Sequence, residues 1–223
     1  MTKRLKMITD AATLLFLRQG YAKTQISHIA KAAGVSVGTI YLDFTGKEEI
    51  MHFILKCTIE PEFGNREFEK PITDDLFDGL EAEITELFKK TGEKFAAHLE
   101  EPAGGYSFES LISDAFDMLS QYAPAVLFIE KNQFDFKNLA ERYNTYRTHF
   151  FETMMRYIHT FIAHGMVRPL ENIELSTMLI IEILSWWAMD VHYTTFEPQN
   201  VSAASAKSVC MDNITAAYKI QDR

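Results

Sequence analysis

A short stretch near the N-terminus brings together side chains that bind phosphate groups and the edges of nucleic-acid bases. Hydroxyl groups stand at Ser36, Thr39 and Tyr41, and the cation Lys47 follows. Such groups make most protein contacts to a DNA backbone, and a hydroxyl also bonds base edges. The open amides of a helix that begins after Ser36 would add a phosphate seat. The chemistry indicated is binding of a polyanion, with helix capping by Ser36 and Thr39 and packing by Tyr41 as the plainer alternatives.

The helix that carries these groups has one face for a core and one for a partner. Ile40 and Phe44 lie about 40° apart on a helical wheel, so both must face the interior. Gly38, Thr39 and Leu42 lie on the opposite side. Gly38 permits close approach of the backbone, whereas Leu42 could read a base only through an apolar contact such as a thymine methyl. The outward face therefore suits a groove of DNA.

Short helices must position this face. Apolar spacing predicts a first helix over about 4–19 and a second over 25–33, with Thr24 as its N-cap. A third is predicted over 37–44, and Thr45–Glu48 has the pattern of a capping box that opens a fourth. Three short helices with a brief joint describe a helix-turn-helix, although a generic helical hairpin has the same spacing.

Many side chains of a known signature fall at fixed spacing in this region. They are Thr24, Ile29, Ala30, Ala33, Gly34, Val35, Ser36, Gly38, Thr39, Ile40, Tyr41, Phe44, Lys47, Glu48 and Glu49. On these residues, roughly positions 4–55 resemble the DNA-binding signature of the TetR family of transcriptional regulators. The remaining helices resemble that family's ligand-binding and dimerisation body only in length and in their helical pattern.

The resemblance implies which side chains meet double-stranded DNA. The set is Thr24, Ser36, Val37, Gly38, Thr39, Tyr41, Leu42 and Lys47. The family places the Tyr41 hydroxyl and Lys47 on phosphates and turns Val37 toward DNA, whereas the helical wheel puts Val37 nearer the core. It also implies a homodimer with its two heads about 34 Å apart in successive major grooves, so the operator should be a near-palindrome.

Asp43 is the unusual position, because a carboxylate close to phosphate would cost affinity. On the wheel it flanks the outward face, about 80° from the buried axis. Pairing with Lys47 four residues later would explain it, and acceptance of a hydrogen bond from a cytosine amine is the alternative. We expect Asp43→Asn to raise the affinity for all DNA modestly, unless the carboxylate positions Lys47 or binds a base.

The charge distribution separates a cationic head from an acidic body. The chain has a formal net charge of −9. Residues 1–50 carry seven basic and four acidic side chains, hence +3, which leaves −12 for the remainder. Only the head therefore suits phosphate, unless the asymmetry is a chance fluctuation of solvated charge.

The rest of the chain predicts an all-α fold. Residues 61–75 lack a steady period and are interpreted as a linker or a loosely packed corner, and the segments from Leu76 onward have helical spacing with stops at Pro124 and Gly165. We expect a three-helix helix-turn-helix DNA-binding domain over 1–57. A helical bundle for effector binding and dimerisation is expected over 58–223.

Two sets of apolar side chains in this body are candidates for function. A pocket for a small apolar or aromatic effector is predicted from Phe95, Phe108, Phe116, Tyr146, Phe150, Met154 and Trp187. The resemblance places the dimer interface on the last two helices, with Leu175, Leu179, Glu182, Trp186, Val209, Ile214 and Ala217 as candidates. Packing inside one subunit is the alternative for each residue of both sets.

The sequence carries no pattern of an enzyme. Its seven histidines form no HExxH motif, neither cysteine has a partner at metal-ligand spacing, and no cofactor is expected. No segment is apolar over the ~20 residues that span a bilayer, and two distant cysteines suggest reduced thiols in the cytoplasm.

The predicted function is a homodimeric repressor released by a small effector. The alternative is a helix-turn-helix regulator without such an effector, controlled by a protein partner or acting as an activator.

Overall fold

The computed structural model describes residues 1–99, 105–194 and 201–220, and these residues form helices without a strand. The predicted all-α class is confirmed. In chain order the α-helices are α1 (Lys3–Arg18), α2 (Ile26–Ala33), α3 (Val37–Asp43), α4 (Lys47–Ile59), α5 (Leu80–Ala96), α6 (Phe108–Lys131), α7 (Lys137–Ala163), α8 (Ile173–Ser185), α9 (Val191–Tyr193) and α10 (Ala203–Tyr218). Short 3₁₀ turns lie at Phe63–Asn65, Asp74–Phe77 and Ala97–Leu99, and a π-helical turn at Trp186–Asp190 joins α8 to α9.

Two predicted helix starts are wrong by one residue. Helix α2 has Gln25 as its N-cap, in a reciprocal capping arrangement with His28, so Thr24 is not the cap. Helix α4 has Gly46 as its N-cap without a side-chain cap bond. The Thr45 hydroxyl donates instead to the carbonyl of Ile72, 3.2 Å away, because a later segment lies within its reach.

The predicted stop at Pro124 is also wrong, because α6 continues through this proline to Lys131. A proline inside a helix removes one backbone hydrogen bond and disfavours the conformation, but packing overrides this local cost. The neighbours Ala123 and Ala125 to Ile129 are all buried. The expected interruption near residues 132–138 does occur, between the end of α6 and the start of α7 at Lys137.

The segment between α4 and α5 is an ordered strap, not a loose linker. Phe63, Ile72 and Phe77 are buried, and the rings of Phe53, Phe63 and Phe68 pack with centroids 5.1 to 5.5 Å apart. Backbone hydrogen bonds also fix the strap to the end of α3. The Ile72 amide donates to the Asp43 carbonyl at 2.8 Å, and the Thr45 amide donates to the Ile72 carbonyl at 3.0 Å. The strap therefore belongs structurally to the N-terminal helices.

The chain divides into two compact units. The first comprises Met1–Leu87 and Pro124–Glu141, and the second comprises Phe88–Ala123 and Arg142–Arg223. The first unit thus contains the expected head over 1–57 together with the strap and the corner between α6 and α7. The boundary at residue 57 remains a prediction.

The core of the second unit is built from apolar faces of α6, α7, α8 and α10. Its buried members include Phe108, Leu111, Phe116, Met154, Tyr157, Ile158, Ile180, Leu184, Cys210 and Ile214. The hydroxyl of the buried Tyr157 donates to the carbonyl of Phe95 at 2.6 Å, so its polar atom is satisfied inside the core. Burial raises the pKa of the Cys210 thiol to about 11, which keeps it protonated and unreactive at neutral pH.

Candidate nucleic-acid interface

The joint between α2 and α3 fixes the direction of α3. Gly34 ends α2 with φ +69°, a left-handed conformation that favours glycine. The Ser36 hydroxyl then accepts from the Thr39 amide at 3.0 Å and caps α3. Ile40 and Phe44 are buried as predicted, and the Phe44 ring packs edge-on against Phe53 with centroids 5.5 Å apart. Cap and core together hold one side of α3 outward.

The outward side of α3 is an exposed surface of apolar and small residues. Leu42 is 64% exposed, and Val37 and Tyr41 are exposed as well. Gly38 is also exposed, and beyond its chain neighbours and its own helix backbone the nearest atom to where its Cβ would stand is the Ser36 hydroxyl oxygen, at 3.7 Å. The structure thus places Val37 at the surface, whereas the sequence allowed either a position near the core or one that faces DNA. We call Val37, Gly38, Tyr41 and Leu42 the reading face.

Ser36 and Thr39 lie at the start of this face and have capping roles. Their hydroxyl oxygens are 2.8 Å apart, and the Ser36 hydroxyl also accepts the Thr39 amide. Capping does not exhaust either hydroxyl, because each has one donor and two acceptor positions. Both side chains therefore keep capacity for a phosphate or a base edge.

Thr24 does not lie at the surface, contrary to the sequence-based expectation. Its side chain is only 1% exposed. Its hydroxyl donates to the Gly20 carbonyl at 2.8 Å and accepts from the Gln19 side chain at 3.0 Å. Because both bonds close the loop between α1 and α2, Thr24 stabilises the head rather than presenting a group to DNA.

Lys47 begins α4 and contacts Tyr21 of the loop between α1 and α2. Its Nζ atom donates to the Tyr21 carbonyl at 2.9 Å and lies 4.0 Å from the centroid of the Tyr21 ring. The Tyr21 amide in turn donates to Oδ1 of the buried Asn132 at 2.7 Å. The ammonium has three donors, so one bond to a carbonyl leaves capacity for phosphate. Its position, however, is set by Tyr21.

Asp43 neither pairs with Lys47 nor faces outward. Its side chain is 0% exposed, and its carboxylate accepts two bonds from Arg4, Nε to Oδ2 at 2.6 Å and Nη2 to Oδ1 at 2.7 Å. Lys70 of the strap donates to the same Oδ1 at 2.5 Å. Burial by itself would raise the pKa of Asp43, but the hydrogen bonds from Arg4 and Lys70 hold it below its ordinary value.

Sequence reasoning missed Arg4, Lys70 and Asn132. Arg4 was counted only as part of the net charge of the head. Lys70 lies in a segment without periodicity, 27 residues after Asp43, and Asn132 lies 111 residues after Tyr21. The available signal was the unusual carboxylate itself, because a buried charge requires a partner.

A comparison with known proteins decides which family this head represents. The family model described as bacterial regulatory proteins of the tetR family matches residues 8–53. This head therefore belongs to the tetR family of bacterial regulatory proteins. These residues span α1 to α4 up to Phe53, and therefore include the whole reading face.

Known regulators are similar to this chain over the head. The fatty acid metabolism regulator protein of Bacillus subtilis is 49% identical over 49 residues, which cover 22% of this chain and 25% of that protein. The regulator HbdR of Aromatoleum sp. is 43% identical over 58 residues, 26% of this chain and 25% of that protein. The match thus spans about a quarter of these relatives. Both are named as regulators, which agrees with the expectation that the chain is not an enzyme.

The fold of the whole chain also has solved counterparts. The ketosteroid transcriptional regulator KstR2 of Mycobacterium tuberculosis superposes with a TM-score of 0.54 over 99% of this chain and 97% of that one. Their sequence identity is 14%, so this likeness concerns the fold alone.

The second unit contains a cavity of about 350 Å³ between residues of α5 and α6. Its wall is formed by Lys90, Thr91, Lys94, Phe95, His98, Tyr106, Asp114, Asp117, Met118, Gln121 and Tyr122. The His98 and Tyr106 rings stack with centroids 4.2 Å apart, and the Tyr106 hydroxyl donates to Asp114 at 2.9 Å. Asp117 pairs with Lys207 at 2.5 Å. The wall is therefore aromatic and charged rather than purely apolar.

Of the predicted pocket residues, Phe95 lines this cavity and most others do not. Phe150 lines a second cavity of about 320 Å³, beside Phe151, Met178 and Ile181. Phe108, Phe116 and Met154 are buried core residues, Tyr146 stacks on Phe88, and Trp187 lies in the π-helical turn. His98, Tyr106 and Tyr122 also line the first cavity but were not predicted. Residues that line a cavity and residues packed in the core have similar composition, so the sequence does not distinguish them.

The predicted dimer residues fall into two groups. Leu175, Leu179, Trp186 and Val209 are exposed apolar side chains on α8, the π-helical turn and α10, and Met178 belongs with them. Glu182 is also exposed and lies 3.6 Å from Arg147, and Ala217 is exposed. Ile214, however, is 1% exposed and packs inside the subunit, so its assignment to the interface is wrong. We call the exposed apolar group the α8–α10 face.

Two further properties concern the described part of the chain. It contains no group of three or more His, Cys, Asp or Glu side chains placed to hold a metal ion. None of its helices combines the length and apolar character needed to cross a bilayer.

Proposed function

We propose that this TetR-family chain is a ligand-responsive repressor that binds a palindromic operator as a homodimer in the cytoplasm and is released by a small-molecule effector. The observation that carries the proposal is the reading face, an exposed strip on a helix held at its cap and core. A recognition helix of this kind lies in the major groove with its first turns against base edges.

The chemistry of the reading face indicates how it would read sequence. Val37 and Leu42 can contact thymine methyl groups, and Gly38 lets the backbone come close to the DNA. Thr39 can bond a base edge, while Ser36, Tyr41 and Lys47 are placed to bind phosphates. Such a face would favour A·T pairs at the positions that Leu42 and Val37 touch.

The α8–α10 face supports the homodimer. Exposed apolar side chains clustered on neighbouring helices mark an interaction surface rather than a solvated one. Leu175, Met178 and Leu179 follow one another at helical spacing, so they form a single stripe on α8. Two copies joined there would present two reading faces to half-sites one helical turn, about 34 Å, apart.

The cavity of the second unit supports a small effector. Its volume of about 350 Å³ suits a drug-sized molecule. The stacked His98 and Tyr106 rings favour an aromatic or flat apolar body, and the charged wall residues favour a polar substituent. Helix α6 contributes Asp117, Met118 and Gln121 to the cavity wall, and its last turns carry Phe128 against Tyr21. An effector that prefers one arrangement of α6 would thereby change DNA affinity.

A selection experiment tests the proposal. The protein is used to enrich duplexes from a random pool, and affinities for the enriched and a mixed-sequence duplex are then compared. Leu42→Ala should lower the affinity for the enriched duplex roughly tenfold and leave the other nearly unchanged, since a mismatch at one base pair of a specific site costs about 1–3 kcal/mol. Leu14→Ala, an exposed leucine of α1, is the matched control.

Equal losses on both duplexes would contradict the assignment of the reading face. A pool that enriches no palindrome would contradict the dimeric operator. For the effector, a library of aromatic compounds is screened by thermal unfolding, since a ligand of the folded state raises Tm. Compounds that raise Tm but never release DNA would favour the regulator without a small-molecule effector.

A further inference from the structure

The end of α3 carries a cluster of two cations around one buried carboxylate. Arg4 from the start of α1 and Lys70 from the strap both bond Asp43, as described above. Asp43 is fully buried, whereas the side chains of Arg4 and Lys70 are 45% and 33% exposed. The surface of the cluster is thus formed by its cations, and the carboxylate lies beneath them.

The cluster retains capacity to bind an anion. A guanidinium has five N–H donors, of which Asp43 takes two, and an ammonium has three, of which Asp43 takes one. The formal charge of the three groups is +1. An approaching phosphate oxygen would meet N–H groups rather than the carboxylate, because no part of Asp43 is exposed.

The cluster also lies next to the reading face. Asp43 directly follows Leu42, which is 64% exposed, and comes two residues after the exposed Tyr41. The bonds to Asp43 therefore hold Arg4 and Lys70 at the end of the helix that would enter the groove. The strap is fixed there as well by the bonds between Ile72 and the backbone of Asp43 and Thr45.

We propose that Arg4 and Lys70, positioned by Asp43, bind a backbone phosphate of the DNA beside the end of the reading face. Asp43 is a positioning residue in this arrangement and makes no contact with DNA. The proposal rests on the function proposed above. It reverses the expected effect of Asp43, because removal of the carboxylate lowers the affinity for DNA instead of raising it.

Salt titration of DNA binding tests this proposal. The full-length protein is titrated with a mixed-sequence 40-bp duplex at several salt concentrations. Lys70→Gln should weaken binding roughly three- to fivefold and reduce the slope of log K against log salt by about one for each bound protomer. Lys70→Arg should keep the slope, since it retains the cation. Lys137→Gln, which removes an exposed lysine of the same unit outside the cluster, is the control for net charge.

For Asp43→Asn the proposal predicts a change in DNA affinity opposite to the one expected from net charge alone. The substitution should weaken binding and lower the slope, although it removes a negative charge. Tighter binding by Asp43→Asn, or a Lys70→Gln slope equal to that of Lys137→Gln, would overturn the proposal. If Asp43→Asn does not fold, as shown by its thermal unfolding, the three lysine variants decide the question. A wild-type affinity that is independent of salt would instead defeat the proposed DNA binding itself.

Discussion

The head of this protein buries a charged side chain, whereas its body exposes apolar side chains. In the head, Asp43 is a charged side chain with no exposed surface, whereas in the body Leu175 is an apolar side chain that is 60% exposed. A buried charge persists only with partners, and Asp43 has two within its own chain. The exposed apolar group of the α8–α10 face lacks cover within the described chain. The buried ion pairs of Asp43 hold parts of the head together, and the exposed α8–α10 face indicates a surface for association.

The largest effect on stability should come from Ile214, which the sequence analysis assigned to the dimer interface and the structure buries in the core. Ile214→Ala should lower the free energy of unfolding by about 3 kcal/mol, because it leaves a cavity in the core. Urea unfolding measured at two protein concentrations should show this loss equally at both. Val209→Ala, on the exposed side of the same helix, is the matched control and should cost far less at low concentration. A small loss for Ile214→Ala would mean that this position is not a packed core site.

A charge on the α8–α10 face should act on association rather than on folding. Leu179→Glu places a carboxylate in an apolar stripe three residues from Glu182. It should raise the dissociation constant of the proposed homodimer roughly 30-fold, about 2 kcal/mol, as expected for a buried interface position. Sedimentation of wild type and variant over a range of concentrations measures this change. Identical sedimentation of the two proteins would exclude Leu179 from any dimer interface.

The smallest effect concerns the dependence of head stability on pH. Because the pKa of Asp43 is lowered in the folded protein, its pairing contributes fully above the ordinary carboxyl value of 3.8. This contribution is lost as pH falls through the lowered folded value. Asp43→Asn should therefore be less stable than wild type at neutral pH, and the difference should shrink on acidification. Thermal unfolding at several pH values from neutrality to well below 3.8 measures it.

Asp10→Asn is the control for this pH effect, because Asp10 pairs with Lys6 on the surface of α1. Such exposed pairs contribute little to stability. Its Tm should follow wild type at every pH. A constant difference between Asp43→Asn and wild type down to the most acidic condition would contradict the role of the ion pairs.

Local signals in the sequence were enough to predict the elements of the head. Gly34 and Ser36 are specific turn and cap residues, and Ile40 and Phe44 have the spacing of a buried face, so α2, the joint and α3 could be predicted from neighbouring residues alone. Val37 could not be placed, because the helical wheel puts it nearer the core whereas the family resemblance turns it toward DNA. Its exposure follows from how α3 packs on the other helices.

Several of the errors share one physical cause, which is contact with residues distant in the sequence. Thr45 has a capping pattern, but the Ile72 carbonyl competes for its hydroxyl. Lys47 lies four residues after Asp43, but the carboxylate pairs with Arg4 and Lys70, which are distant in the sequence. In the body, Phe95 at a cavity and Phe116 in the core are alike in sequence, since only the neighbouring surface distinguishes them.

The bond between Tyr21 and Asn132 has a consequence for the order in which the chain matures. The two residues are 111 positions apart, and synthesis proceeds from the N-terminus. While a nascent chain still ends before residue 128, the Tyr21 amide has no Asn132 oxygen to accept its hydrogen bond, and the rings of Phe16 and Tyr21 lack Phe128. The part of the protein made first is therefore completed by residues made much later. A reading head translated alone would emerge with this apolar side uncovered.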